Sequence, residues 1–352
     1  MNMNTNGAAP MLDLQDVAMH FKSRGRGFHT TTVRALDGVS LTLDRGETIA
    51  IVGESGCGKT TLGRVSLRLL EPTAGRVLFD NVDITQVKES NLKGFRRRAQ
   101  GIFQDPFTSL DPYMTIRQIV EEPLIIHGVG SASERLERVQ WALDEVRMRP
   151  AADFLDRFPH LLSGGQRQRV GIARALTLTP EYILADEPVS MIDASSRAEI
   201  LALLSELQER YRIGYLYITH DIATARHFAP TAAVMYLGRV VEQGPTVDLI
   251  NNPLHPYTQG LLNAVPEPDP ANRLAERPVL PGEAPSPANV PSGCRFHPRC
   301  PVFMEGLCDV VEPPLVQVEP DRTVECHLYG AEGKERVGRD TGKSVSGDAE
   351  IV

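Results

Sequence analysis

Nine consecutive residues, Gly53-Glu54-Ser55-Gly56-Cys57-Gly58-Lys59-Thr60-Thr61, constrain this chain more than any others. They satisfy the pattern G-x-x-x-x-G-K-[ST]. The apolar run from Glu47 to Val52 before them predicts a buried parallel strand, and Leu62 to Leu70 after them carries the apolar spacing of a helix. Strand, glycine loop and helix form the context in which this pattern acts. The glycines let the backbone curl so that successive N–H groups point inward at phosphate oxygens, and the helix start adds partial positive charge there. Lys59 then reaches the β- and γ-phosphates, and Thr60 offers its hydroxyl to Mg²⁺. The alternative is a glycine-rich turn without a ligand, which explains neither the lysine nor the hydroxyl.

Around that loop the pattern alternates between strands and helices. Met11 to Phe21 alternates apolar and polar positions and predicts a half-exposed antiparallel strand, and Val39, Leu41 and Leu43 predict a second. Lys22 to Thr32 reads as a basic, glycine-containing loop between them. Gly75 to Phe79 and Gly101 to Phe103 predict short strands. Residues 115 to 162 are mostly helical (Ile116 to Ile126, Ala132 to Val146, Ala151 to Leu155) with no strand among them, which predicts a helical insertion. Further helices are expected from Gly164 to Leu178 and from Glu199 to Tyr211. Strands are expected at Tyr182 to Ala185 and Tyr215 to Ile218. This order implies a mostly parallel sheet covered on both faces.

Beyond residue 265 eight prolines lie between Pro266 and Pro291, which excludes regular helix or sheet and predicts an extended linker. The expected division is a disordered tail at 1–10, a nucleotide-binding domain at 11–250 with a helical subdomain at about 105–178, a cysteine-containing domain at 251–330 and a flexible tail at 331–352. A formal net charge of -8 argues against a nucleic-acid-coating surface. No apolar run approaches the ~20 residues that span a bilayer, and no leader of the secretory kind is expected.

The phosphate loop, Gln104, Leu162-Ser163-Gly164-Gly165-Gln166, the apolar strand before Asp186-Glu187, and His220 follow one another as in an ATP-binding cassette subunit, and the chain resembles that family. The five-residue signature discriminates, because many nucleotide hydrolases carry the phosphate loop alone. Asn252-Pro253-Leu254-His255-Pro256-Tyr257-Thr258 and Gly293-Cys294-Arg295-Phe296-His297-Pro298-Arg299-Cys300-Pro301 extend the resemblance to the oligopeptide/dipeptide importer subfamily. The resemblance implies an ABC-type nucleotide-binding domain: a RecA-like parallel sheet core, an antiparallel β subdomain and a helical subdomain, followed by a small, irregular, cysteine-containing C-terminal domain.

The same resemblance implies the roles. Thr60, Gln104 and Asp186 would surround Mg²⁺, and Glu187 would orient and polarise the attacking water. His220 would touch the γ-phosphate, and Phe21 would stack on adenine, although a lone aromatic on that strand is also read as core. Ser163, Gly164, Gly165 and Gln166 open a helix and would face the ATP held by a second cassette. Asp193 lies in the loop after Glu187, where Met191-Ile192 stands in place of the family's Ala-Leu.

Of five cysteines, four lie between Cys294 and Cys326, with five, seven and seventeen residues between successive members. None makes the C-x₂₋₄-C pair of structural zinc sites. Cys294, Cys300, Cys308 and Cys326 therefore suit a [4Fe–4S] cluster better than Zn²⁺, and the resemblance supports the cluster. Unliganded thiols, and His297 or His327 as substitute ligands, stay open. The segment is expected to stand apart from the ATP site, with no motif linking the two.

The function implied is the ATPase of a di- or oligopeptide importer. It would pair with a second, non-identical cassette and dock through Asp105 to Tyr113 on two permease subunits fed by a substrate-binding protein. It would sit peripherally on the cytoplasmic membrane face, without nucleic acid. An importer for sugars or nickel complexes is the alternative. Repair and ribosome-associated cassettes lack support, having long coiled coils or two cassettes in one chain. A regulatory cassette that does not hydrolyse ATP would need a broken Glu187, His220 or signature.

Overall fold

The computed structural model describes residues 9–24, 30–105, 107–264, 280–331 and 333. In chain order the strands and α-helices are β1 (Leu12–Arg24), β2 (Thr30–Leu43), β3 (Thr48–Val52), α1 (Lys59–Ser66), β4 (Ala74–Phe79), β5 (Val82–Asp83), α2 (Lys93–Arg98), β6 (Ala99–Ile102), α3 (Ile116–His127), α4 (Ala132–Glu145), α5 (Gly164–Leu176), β7 (Tyr182–Asp186), α6 (Ala194–Tyr211), β8 (Gly214–Thr219), α7 (Ile222–Phe228), β9 (Thr231–Tyr236), β10 (Arg239–Pro245), α8 (Thr246–Asn251), α9 (Pro256–Asn263), β11 (Leu315–Glu319) and β12 (Arg322–Glu325).

Two sheets organise them. A four-stranded sheet runs β2-β1-β4-β5, antiparallel throughout, and an eight-stranded one runs β11-β12-β10-β9-β3-β8-β7-β6. In the larger sheet β6, β7, β8, β3 and β9 are parallel. Every residue of β3, β7 and β8 is buried, because helices or the second sheet cover both faces. Alternation along β3 sorts the two cores. Ile49 and Ile51 face the layer of β1, β2 and α1, while Ala50 and Val52 face that of α3, α5 and α6.

The expected antiparallel pair is present but longer. β1 continues to Arg24 and β2 starts at Thr30, so the expected loop from Lys22 to Thr32 shrinks to 25–29, outside the described residues. Lys22 pairs with Thr32 and Ser23 with Thr31, a continuation driven by ladder hydrogen bonds rather than by apolar alternation. The first helix stops at Ser66 instead of Leu70, and Arg68 takes a left-handed φ of 51°. Ala151–Asp153 forms a single 3₁₀ turn, not a helix. Residues 1–8, 265–279 and 334–352, where a disordered tail, part of the linker and the flexible tail are expected, lie outside the described residues.

Beyond residue 300 the sequence offers little periodicity, yet β11 and β12 form a hairpin there. β12 joins the main sheet beside β10, with Glu242 opposite Val324. An internal charge fastens it. Arg322 and Glu242 are 1% and 0% exposed, and Arg322 Nη2 donates to Glu242 Oε1 at 2.8 Å. The backbone N–H groups of Leu254 and His255 donate to the same carboxylate, at 2.9 and 3.0 Å. Three segments, β10, β12 and the stretch before α9, thus share one buried carboxylate, and these partners offset the cost of removing it from water. Arg322→Ala should therefore cost about 3–5 kcal/mol in urea unfolding, as removal of one partner of a buried pair does; a loss under about 1 kcal/mol would mean that the hairpin is held by packing alone.

Candidate active site

The phosphate loop leaves the C-terminal end of β3 and wraps back to start α1. A Cβ on Gly53 would lie 2.3 Å from the carbonyl oxygen of Met235. One on Gly58, whose φ is +111°, would lie 2.4 Å from that of Ala35. No side chain fits at either place, so the glycines are demanded by close backbone approach as well as by curvature. Ser55 and Gly56 are exposed at the tip, Thr61 is half-buried, and Cys57 is buried, its thiol pushed up by burial. Lys59 is 6% exposed, and its Nζ donates to Gly53 O at 2.7 Å and Glu54 O at 2.9 Å. The ammonium is folded over the loop, within reach of any anion the loop would hold.

Parallel neighbours deliver the rest. β7 ends at Asp186 beside Ile218 of β8, and Val52 of β3 lies beside Thr219. Thr60 Oγ1 donates to Asp186 Oδ1 at 3.3 Å, joining the loop to β7. Burial pushes the Asp186 carboxyl up, and the Thr60 bond offsets part of that. A buried, hydrogen-bonded carboxylate beside a hydroxyl is the hard oxygen set that Mg²⁺ takes. Glu187 follows with a left-handed φ of 47°, an uncommon conformation for a side chain of this size. Its N–H donates to Ile218 O, and its carbonyl accepts from Ser190 N, so both sides hold the bend. The bend swings Glu187 away from Asp186 to meet two other predicted residues. Gln104 Nε2 donates to Glu187 Oε2 at 3.0 Å, and His220 Nδ1 lies 3.3 Å from that oxygen.

The signature residues stand elsewhere. Ser163 caps α5 in a reciprocal box with Gln166, leaving the helix start unobstructed. Gly164 packs towards Ile192 on the loop after Glu187, and Gly165 towards Ser196 in the first turn of α6. There Asp193 caps α6 by accepting from Ser196 N, and the Ser195 hydroxyl, with that cap, holds its carboxyl down to about 2. Met191 is exposed. Among the described residues no hydrogen bond or ion pair links Ser163–Gln166 to the phosphate loop, so the chain does not close this site on itself. Phe21, opposite Val33 on the outer sheet, is 39% exposed, too open for a core residue.

The four C-terminal cysteines line one small apolar cavity with His255, His297 and His327. Burial raises the thiols of Cys294 and Cys326 to about 12 and that of Cys300 to about 11, and their mutual proximity adds to the rise. Among the described residues no group of three or more His, Cys, Asp or Glu side chains is set to hold a metal ion, so neither iron nor zinc gains direct support.

The expected separation of this segment from the phosphate loop is wrong. Arg299 makes a two-pronged ion pair with Glu54 (2.9 and 3.1 Å), and the N–H of Glu54 donates to Tyr257 Oη at 2.9 Å. Sequence reasoning quoted Tyr257 and Arg299 only as parts of a resemblance. They act 203 and 245 positions away from their partner, a separation no local pattern reveals.

The comparisons agree with this architecture. The family described as ABC transporter matches residues 36–190, and the one described as Oligopeptide/dipeptide transporter, C-terminal region, matches 241–308. The oligopeptide transport ATP-binding protein AppF of Bacillus subtilis is 48% identical over 91% of this chain and 97% of its own length. A putative peptide import ATP-binding protein of Brucella ovis is 47% identical over 90% and 97%. Among solved structures, a dimeric post-hydrolysis state of the ATP-binding cassette MJ0796 with ADP and Pi superposes with a TM-score of 0.60. It is 33% identical and covers 67% of this chain and 99% of its own.

The loop's geometry makes a paired prediction. Gly58→Ala drives a methyl into a backbone carbonyl at a left-handed φ and should cost about 2 kcal/mol or more in urea unfolding. Gly171→Ala, inside α5 with nothing within 4 Å of its Cβ, should be neutral or stabilise by up to about 1 kcal/mol. Equal effects at the two positions would contradict the packing.

Proposed function

This chain belongs to the ATP-binding cassette transporter family, and we propose on that premise that it is the ATP-hydrolysing subunit of an importer for di- or oligopeptides. The observation that carries the hydrolytic part is the meeting of Gln104, Glu187 and His220 on one carboxylate oxygen beside the Thr60–Asp186 pair. The peptide class is supported by the C-terminal family match and by the relatives' names.

Lys59 and the loop amides hold the phosphates of ATP, apart from the amide of Glu54, which Tyr257 engages, and Phe21 offers its open face to adenine. Thr60, Asp186 and Gln104 would hold Mg²⁺, which neutralises phosphate charge when bound. Glu187 orients the water that attacks the γ-phosphate, while His220 contacts that phosphate and shares the Glu187 oxygen. The free helix start at Ser163-Gly164-Gly165-Gln166, with Asp193 beside it, acts on the nucleotide of a second cassette, and two cassettes sandwich two ATP molecules. The unclosed signature supports this arrangement.

No described helix is long and apolar enough to cross a membrane. We assign attachment to two permease subunits through the segment from Asp105 to Tyr113, where Phe107 and Tyr113 are 52% and 89% exposed. The partner cassette is taken as a paralogue, and a substrate-binding protein delivers the peptide from outside. The division into a cassette at 11–250 and a C-terminal part at 251–330 belongs to the same proposal. For the cysteines we propose a structural [4Fe–4S] cluster on Cys294, Cys300, Cys308 and Cys326. Four soft donors on one cavity fit it, and a cluster spreads its ligands wider than a single ion does.

Glu187→Gln in the assembled transporter should bind ATP normally and lower turnover by ~10²-fold or more; turnover near the wild-type rate would refute the assignment. Anaerobically purified protein should be brown and carry about four irons per chain, and Cys300→Ser should bleach it. Stoichiometric zinc without iron would replace the cluster, and neither metal would remove it.

A further inference from the structure

The contact between Arg299 and Glu54 goes beyond the roles assigned above. Glu54 is the second residue of the phosphate loop, and every polar group it has is engaged. Its N–H donates to the Tyr257 hydroxyl, its carbonyl accepts from Lys59 Nζ, and both carboxylate oxygens accept from the Arg299 fork. Arg299 itself is fixed. Its side chain is 7% exposed, its Nε donates to Pro281 O at 3.2 Å, and its guanidinium lies 6.0 Å from the Tyr236 ring centre. Tyr236 packs on Tyr257 and Phe296 at 4.6 and 5.3 Å, so one aromatic floor supports both residues that hold Glu54.

A carboxylate in a loop that must accept phosphates is a liability. Left unpaired, Glu54 would repel the anion that the loop exists to hold, and its side chain is only 30% exposed, which weakens screening. A two-pronged arginine removes that charge and fixes its direction at once. We propose that Arg299 is a positioning residue of the nucleotide site: it neutralises Glu54 and, with Tyr257, holds the phosphate loop in its binding conformation before ATP arrives. The proposal rests on the reading of that loop as an ATP site. It implies that removing the clamp weakens nucleotide binding and leaves turnover of bound nucleotide almost untouched, because no reacting atom is involved.

The test is MgATP binding by calorimetry with the full chain, together with ATP turnover at saturating nucleotide in the assembled transporter. Arg299→Ala should raise the MgATP Kd about tenfold, the effect of losing one charge-assisted pair, with kcat within about twofold of wild type. Arg299→Lys, which keeps the charge and loses the fork, should fall between the two, and it carries the test if the alanine variant does not fold. Adding Glu54→Gln to Arg299→Ala should recover most of the lost affinity, since it removes the exposed repulsion. A merely structural role for Arg299 would not have its lost MgATP affinity restored by removing the partner's charge. Unchanged Kd in both single variants, or a double variant that binds no better than Arg299→Ala, would overturn the clamp while leaving the ATP site intact. Absence of MgATP binding by the wild-type chain would overturn the ATP reading and the clamp together.

Discussion

Parallel pairing in the middle of the large sheet is the constraint on which the site depends. β3, β7 and β8 run in register, so their carboxyl ends stop along one edge, and every connection leaving that edge opens on the same crevice. This is where ligands bind in open α/β sheets. Gly53, Asp186, Glu187 and His220 need nothing further to bring them near one another. The fine aim comes from local devices: two glycines that pass within contact distance of carbonyls, and one left-handed glutamate held between Ile218 and Ser190.

The sheet also explains the reach of the C-terminal segment. β9 and β10 turn its far side antiparallel, which creates a free edge. β12 covers that edge, and β11 covers β12. An exposed edge invites association with other chains, and a hairpin from the same chain removes most of it. The described residues 280–314 before that hairpin come back to the phosphate loop. There Arg299 meets Glu54 of the loop. Arg295 ties the same segment elsewhere, to Leu237 O and to Asp37 on β2.

The two halves of the site follow different rules. Thr60 with Asp186, and Gln104 and His220 with Glu187, are joined by hydrogen bonds and close polar contacts at the sheet edge. The signature packs on the loop that follows Glu187 through Gly164, and on the first turn of α6 through Gly165.

Sequence alone determined what short-range chemistry can determine. The phosphate loop, the Asp186-Glu187 pair and the Ser163 cap are contiguous patterns whose spacing encodes a turn, a strand end and a helix start, and the structure has each where the pattern predicts it. Buried strands were legible because a parallel sheet buried on both faces leaves near-continuous apolar runs. Tertiary structure decided everything carried by distant or polar contacts. β11 is mostly exposed and β12 is only four residues long, so their pairing with each other and with β10 makes them strands. The lengthening of β1 and β2 past Phe21 rests on mutual hydrogen bonds. Arg299 and Tyr257 reach Glu54 across more than two hundred residues, and loop closure on that scale leaves no trace in local composition, because it is set by the packing of both ends on a common sheet.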